Sequence, residues 1–142
     1  MSHQLKPPLL LVVMLGLALA GGRVDAHHSF AAEFDVNKPI ELRGKVIKVE
    51  LINPHSWIHV EVTGKNGLKQ TWMVEGGSPN NLFRLGFTKD SLPKGTEIIV
   101  EGYQAKDGAN RAVGKDLTFP DGKRLFMGGS APGAHGEGDI SK

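Results

Sequence analysis

The chain has 142 residues, 17 basic and 15 acidic, for a formal net charge of +2 with histidine neutral. With 39% hydrophobic and 23% charged residues, it has material for one small domain and not for two large ones. The absence of cysteine excludes disulfides, thiolate metal centres, iron–sulfur ligation and a cysteine nucleophile. So small a net charge implies neither a nucleic-acid nor a membrane partner.

Lys6 precedes an unbroken apolar run at 9–19, LLLVVMLGLAL, and GGRVDA follows, ending at Ala26. A positive start, an apolar run and a cleavage pattern at Val24 and Ala26 predict a signal peptide over 1–26. The run is shorter than the roughly 20 residues of a spanning helix. The mature chain is therefore expected to begin at His27, in the periplasm or secreted, with no membrane span left after cleavage. Without cysteine, its stability must come from a core, a metal or a partner.

Residues 27–39, HHSFAAEFDVNKP, read as an ordered arm, and Phe30 and Phe34 can pack together if it contains a helical turn. The folded domain is expected over 40–127. In 40–52, Ile40, Leu42, Gly44 and Val46 share one parity, whereas Ile47, Val49 and Leu51 share the other. Such a shift within a strand predicts a bulge or sharp bend, and Gly44 is a place where bending is cheap. Asn53–Pro54 breaks this long first strand. SWIHVEVTG alternates as a second strand, GKNG at 64–67 predicts a hairpin, and LKQTWMVE is the third strand. Ser78, Pro79 and Asn80 can start a short helix over Leu82, Phe83 and Leu85, ended by Gly86. KGTEIIVEGY and RAVGKDLTF are strands four and five, and PDGKRLFM is a short extension through Asp121–Gly122. Residues 128–142 have little to bury and read as a disordered tail. The order predicts an all-β, five-stranded OB-like barrel with a short helix between strands 3 and 4. An open roll or small sandwich is the alternative.

The segments AHHSFAAEFD, ELRGKVIKVELINPHSWI, VEGGSPNNLFRLGFTKDSLPKGTEIIVEGYQAKDGANRA and LTFPDGKRLF resemble DUF6152, a family of small exported bacterial proteins of unknown function. The resemblance covers nearly all of 26–127, and NPHSW and HHSF are its most specific blocks. It implies a small periplasmic protein and no particular activity. The order of elements is also similar to that of exported OB-fold proteins, a likeness of topology alone.

Chemistry is carried mainly by histidine. A chain beginning at His27 offers its α-amine and ring to one metal, and His28 lies beside it. A third nitrogen, from His55 or His59, would complete a T-shaped set suited to Cu(II). On a regular strand His55, Trp57, His59 and Glu61 share a face, but His55 and His59 are then about 13 Å apart. Both reach one metal only if the segment 54–56 turns away. Their structural roles are a loop cap for His55 and a half-exposed strand residue for His59.

Trp57 reads as a core plug or a binding platform. Glu75 can cap the short helix, anchor the arm or join a metal site. Asn80 and Arg84 form a polar rim on the helix, and Arg111 pairs with Asp107 or Glu75. Gly76–Ser78 lacks phosphate-loop spacing, GxSxG is absent, and on a strand Ser56 takes the face opposite that of its neighbour His55 and of Glu61, so the three cannot form a triad. The sequence thus predicts a non-catalytic periplasmic binding module. Its candidate ligand is copper, held by His27, His28, His55 and His59, with Trp57, Glu75, Asn80, Arg84 and Arg111 as further binding surface. A structural or protein-interaction module without a small ligand is the alternative. Export and the lack of a basic stripe interleaved with aromatics argue against nucleic acid.

Overall fold

The computed structural model describes residues 26–132, with only the backbone described at 26–29. The leader expected at 1–26 falls almost wholly, and the tail from 133 onward wholly, outside the described residues. Helix α1 (Ala26–Glu33) runs into strand β1 (Phe34–Leu51). Then follow β2 (Ser56–Thr63), β3 (Lys69–Glu75), the short helix α2 (Pro79–Arg84), β4 (Glu97–Ala105), β5 (Arg111–Thr118) and β6 (Arg124–Phe126). Among the described residues the fold is all-β apart from the two helices, and α2 lies between the third and fourth strands as its sequence predicts.

The strands pair in a closed circuit. β1 lies between β2 and β4, β3 follows β2, and β5 follows β4, all antiparallel. A parallel pairing of β3 with β5 completes the circuit over Met73–Arg111, Val74–Ala112 and Glu75–Val113. β6 adds to the free side of β5. Pairing of this kind leaves little unprotected sheet edge.

The parity shift in β1 is a bulge. Val46 pairs with Val60 and Lys48 with His59, so Ile47 is the extra residue. Gly44 lies three residues earlier, between Val62 of β2 and Ile98 of β4. A Cβ there would stand 2.2 Å from the Glu61 carbonyl oxygen, so glycine permits close approach of two backbones. The hairpin after β2 closes as the sequence predicts, with Gly67 N–H donating to Gly64 O at 2.9 Å and Gly67 at φ 76°. In α2, Pro79 occupies the first turn and the Ser78 hydroxyl accepts from Asn81 N–H at 3.3 Å.

The main core gathers Leu42 and Val46 of β1, Ile58 and Val60 of β2, Val74 of β3 and Val100 and Leu117 from the far strands. Leu82, Phe87 and Met127 cover one end. A second, smaller cluster joins Phe30, Phe34, Ala105, Val113 and Ala131. The Phe30 ring is 6.1 Å from Phe34 and meets Tyr103 edge-on at 5.7 Å, the packing expected of a helical turn in the arm. β1 starts at Phe34, inside the segment read as arm, because Phe34 pairs with Ala105 of β4. Glu33 O accepts from Lys106 N–H at 2.9 Å, and Lys106 Nζ donates to Ala31 O, so a cation holds the carbonyl end of α1. The chain just after Met127 is likewise packed. Ala131 is buried in the second cluster, and Gly128 O accepts from Asn81 Nδ2 at 3.0 Å. Among the described residues no helix is long and apolar enough to cross a membrane.

Candidate functional site

The end of β1, the turn before β2, the end of β3 and the start of β5 meet beside the carboxyl end of α1. They enclose a cleft of about 320 Å³. Ile52, Pro54 and Trp57 line it together with Glu33 and Phe34. His55, Glu75 and Arg111 bring charge to it. Topology explains the gathering. Trp57 pairs across the ladder with Glu75, and the parallel β3–β5 pairing sets Glu75 beside Val113, two residues beyond Arg111.

Glu75 is buried, with its side chain only 8% exposed. His55 Nδ1 lies 2.5 Å from Glu75 Oε1. That nitrogen is buried, and the contact is bent too far from the N–H axis to count as an aligned hydrogen bond. The opposite nitrogen, Nε2, is not among the buried unpartnered atoms and makes no protein hydrogen bond among the described residues. It is the accessible nitrogen of the ring. Burial pushes the Glu75 carboxyl above its usual range, and the charge and proton of His55 pull it partly back. Glu33 adds to the upward push and Arg111 opposes it more weakly.

The Arg111 guanidinium lies 5.9 Å from the centre of the Phe34 ring. Its terminal nitrogen is 3.8 Å from Glu33 Oε2 and 3.9 Å from Asp107 Oδ2, close enough for attraction but too far for hydrogen bonds. Its Nε is buried and has no partner among the described residues. The expected pairing with Asp107 is thus present only loosely, and Glu33 shares it.

His59 takes another course. It is buried on β2, and its Nε2 lies 2.7 Å from Glu50 Oε2 of β1. The carboxyl of Glu50 is held below its usual range, first by a hydrogen bond from Lys48 and then by His59. His55 and His59 therefore hold separate carboxylates and do not share a site. His27 and His28 lie within α1, and their side chains are outside the described residues. Among the described residues no three His, Asp or Glu side chains gather as a metal centre. Asn80 and Arg84 are exposed on α2 and take no part in lining the cleft. Glu75 does not cap α2, because Ser78 already fills that position.

A larger hollow of about 760 Å³ runs beside Arg43, Lys45, Glu61, Lys69 and Glu97. It is a weaker candidate because its charges pair with one another. Lys69 meets Glu61 at 2.9 Å, Lys45 meets Glu97 at 3.6 Å, and Arg43 meets Glu41 at 2.8 Å.

Sequence reasoning finds His55, Trp57, Glu75 and Arg111 separately. It misses Glu33, Ile52 and Pro54 as partners, and it sees Phe34 only as packing. The NPH turn at 53–55 is the one local signal for the wall. The parallel pairing that brings Arg111 to Glu75 has no local signature. The profile of a family of unknown function, DUF6152, matches residues 15–114. No curated protein and no solved structure matches the chain.

Proposed function

The chain belongs to DUF6152, a family of unknown function, and we propose from its cleft that it is a non-catalytic binding module acting in the periplasm. The observation that carries this reading is the convergence of His55, Glu75 and Arg111 in a cleft with apolar walls. An apolar-lined hollow with a few convergent polar groups is the usual form of a small-ligand site. Ser56, next to His55 in the chain, has a buried hydroxyl with no hydrogen-bond partner among the described residues, so it is not paired with the imidazole as a nucleophile would be, which favours binding over catalysis. The expected export signal supplies the compartment.

A library of small aromatic and aliphatic acids, amines and amides, screened by amide and indole NMR shifts, tests the reading. Hits are expected to move the Trp57 indole and the Arg111 amide, and to lose that effect in Trp57→Ala. Hits that all map to the hollow beside Lys45, or no hits at all, would overturn it.

Copper is a second reading of the same place. A carboxylate behind one imidazole nitrogen with the other left accessible is how a metal-binding histidine is commonly held. The helix that carries His27 and His28 ends at Glu33, in the cleft wall. A chain starting at His27 is expected to bind Cu(II) through its α-amine, the His27 ring and His55. One added residue before His27 should abolish that binding, and equal affinity of the two forms would remove copper from consideration.

A further inference from the structure

The state of Arg111 narrows the kind of molecule the cleft accepts. Arginine presents a rigid fork of donors suited to a carboxylate. Here the fork is held near the Phe34 ring, yet it makes no hydrogen bond among the described residues, and its buried Nε is unpartnered. An unsatisfied buried donor is uncommon in a folded protein, and at a site it marks a place for an acceptor. The nearest acids do not fill that place. Glu33 and Asp107 stand 3.8 and 3.9 Å from the terminal nitrogen Nη2, too far to engage it, and Glu75 is occupied with His55.

Ile52, Pro54 and Trp57 supply an apolar wall of the cleft. Ile52 is 60% exposed, which leaves its side chain free to meet a ligand. An indole beside such a wall suits a flat apolar body. A cleft of about 320 Å³ stands at the small end of ligand sites, enough for a single ring with a short polar group. Cationic ligands are disfavoured because Arg111 would repel them and the Glu75 carboxyl is already taken by His55.

We infer that the cleft binds a small organic carboxylate with a flat apolar body, its carboxylate on Arg111 and its body against Trp57 and Ile52. This rests on the cleft being the binding site. The carboxylate takes the donors that Glu33 and Asp107 approach without engaging. His55 Nε2 supplies a second donor when the ring is charged. Glu33 is a competitor for Arg111 rather than a ligand contact.

Benzoate is the probe, titrated into the mature chain and followed by the Trp57 indole and Arg111 amide shifts, with benzylamine and the neutral benzamide as controls. Benzoate is expected to bind at least tenfold more tightly than benzylamine. Arg111→Gln should weaken it at least tenfold, Arg111→Lys less, and Glu33→Gln should tighten it. The Arg111 side chain makes no hydrogen bond among the described residues, and unchanged amide spectra in its variants would verify folding. Unchanged benzoate affinity in a folded Arg111→Gln overturns the inference, as does weaker binding in Glu33→Gln. Benzylamine or benzamide filling the cleft in preference to benzoate overturns the carboxylate assignment while leaving the cleft as the site. If no probe moves either resonance, both readings fail together.

Discussion

Glu75 is an acid in the wrong solvent. Its side chain is almost wholly enclosed, and burial lifts its pKa despite the imidazole at 2.5 Å. The native state therefore retains this proton to higher pH than the unfolded chain does. Between those two values the native state binds more protons, so stability falls as pH rises from the ordinary carboxyl range through the raised value. Urea midpoints measured across that interval are expected to decline in the native protein and to decline less in Glu75→Gln. An identical slope in both would show that Glu75 is not the titrating group. Glu50 gives the contrast. It also meets a histidine, but it remains one-third exposed and has Lys48 at 2.8 Å, so its pKa moves down. The sequence reveals both histidines but not this difference, because neither partner carboxylate is adjacent to its histidine in the chain.

At the scale of elements, β1 does the most to shape the molecule. Its bulge at Ile47 lets the apolar residues on both sides of the parity change contribute to one core. That shift is legible in sequence because side chains alternate with period two, and one extra residue reverses the pattern. The hairpin and the start of α2 are legible for the same local reason: glycine, asparagine, serine and proline sit where the backbone requires them. Gly44 is harder to interpret from sequence, because its role depends on how closely β2 approaches. Gly44→Ala would set a methyl group against the Glu61 carbonyl and the Val60 side chain, the latter at 2.8 Å. The expected cost is about 3 kcal/mol, the upper range for overpacking, measurable as a lowered urea midpoint with unchanged slope. A cost below about 0.5 kcal/mol would mean that β1 and β2 separate easily.

For the whole molecule, the two hydrophobic clusters are joined through β4 and β5. Val113 belongs to the smaller cluster, whereas Val100 and Leu117 belong to the main core. Phe34 is 2% exposed in the smaller cluster and also lines the cleft. Phe34→Ala is expected to cost about 3–5 kcal/mol and to remove the ring beneath Arg111, so it should weaken benzoate binding as well. Thermal melting and the benzoate titration check the two effects separately. Circular pairing also ties each of β1 to β5 to at least two others, which predicts one cooperative transition. Tryptophan fluorescence and far-ultraviolet circular dichroism should then give coincident urea curves. Separate midpoints would show that the α1 cluster opens independently. Sequence reasoning reaches the all-β class and the order of elements and expects a barrel, but it does not identify the β3–β5 pairing that closes the circuit, because that pairing is specified only once the intervening strands are in place.

Only three residue pairs stitch β3 to β5, and the cleft opens over that short join. Glu75 stands on one side of it and Arg111 on the other. A molecule seated between them would fasten the circuit like a latch across its narrowest hem. Occupancy and resistance to opening would then rise together, and amide exchange at Met73–Glu75 should slow most when the site fills.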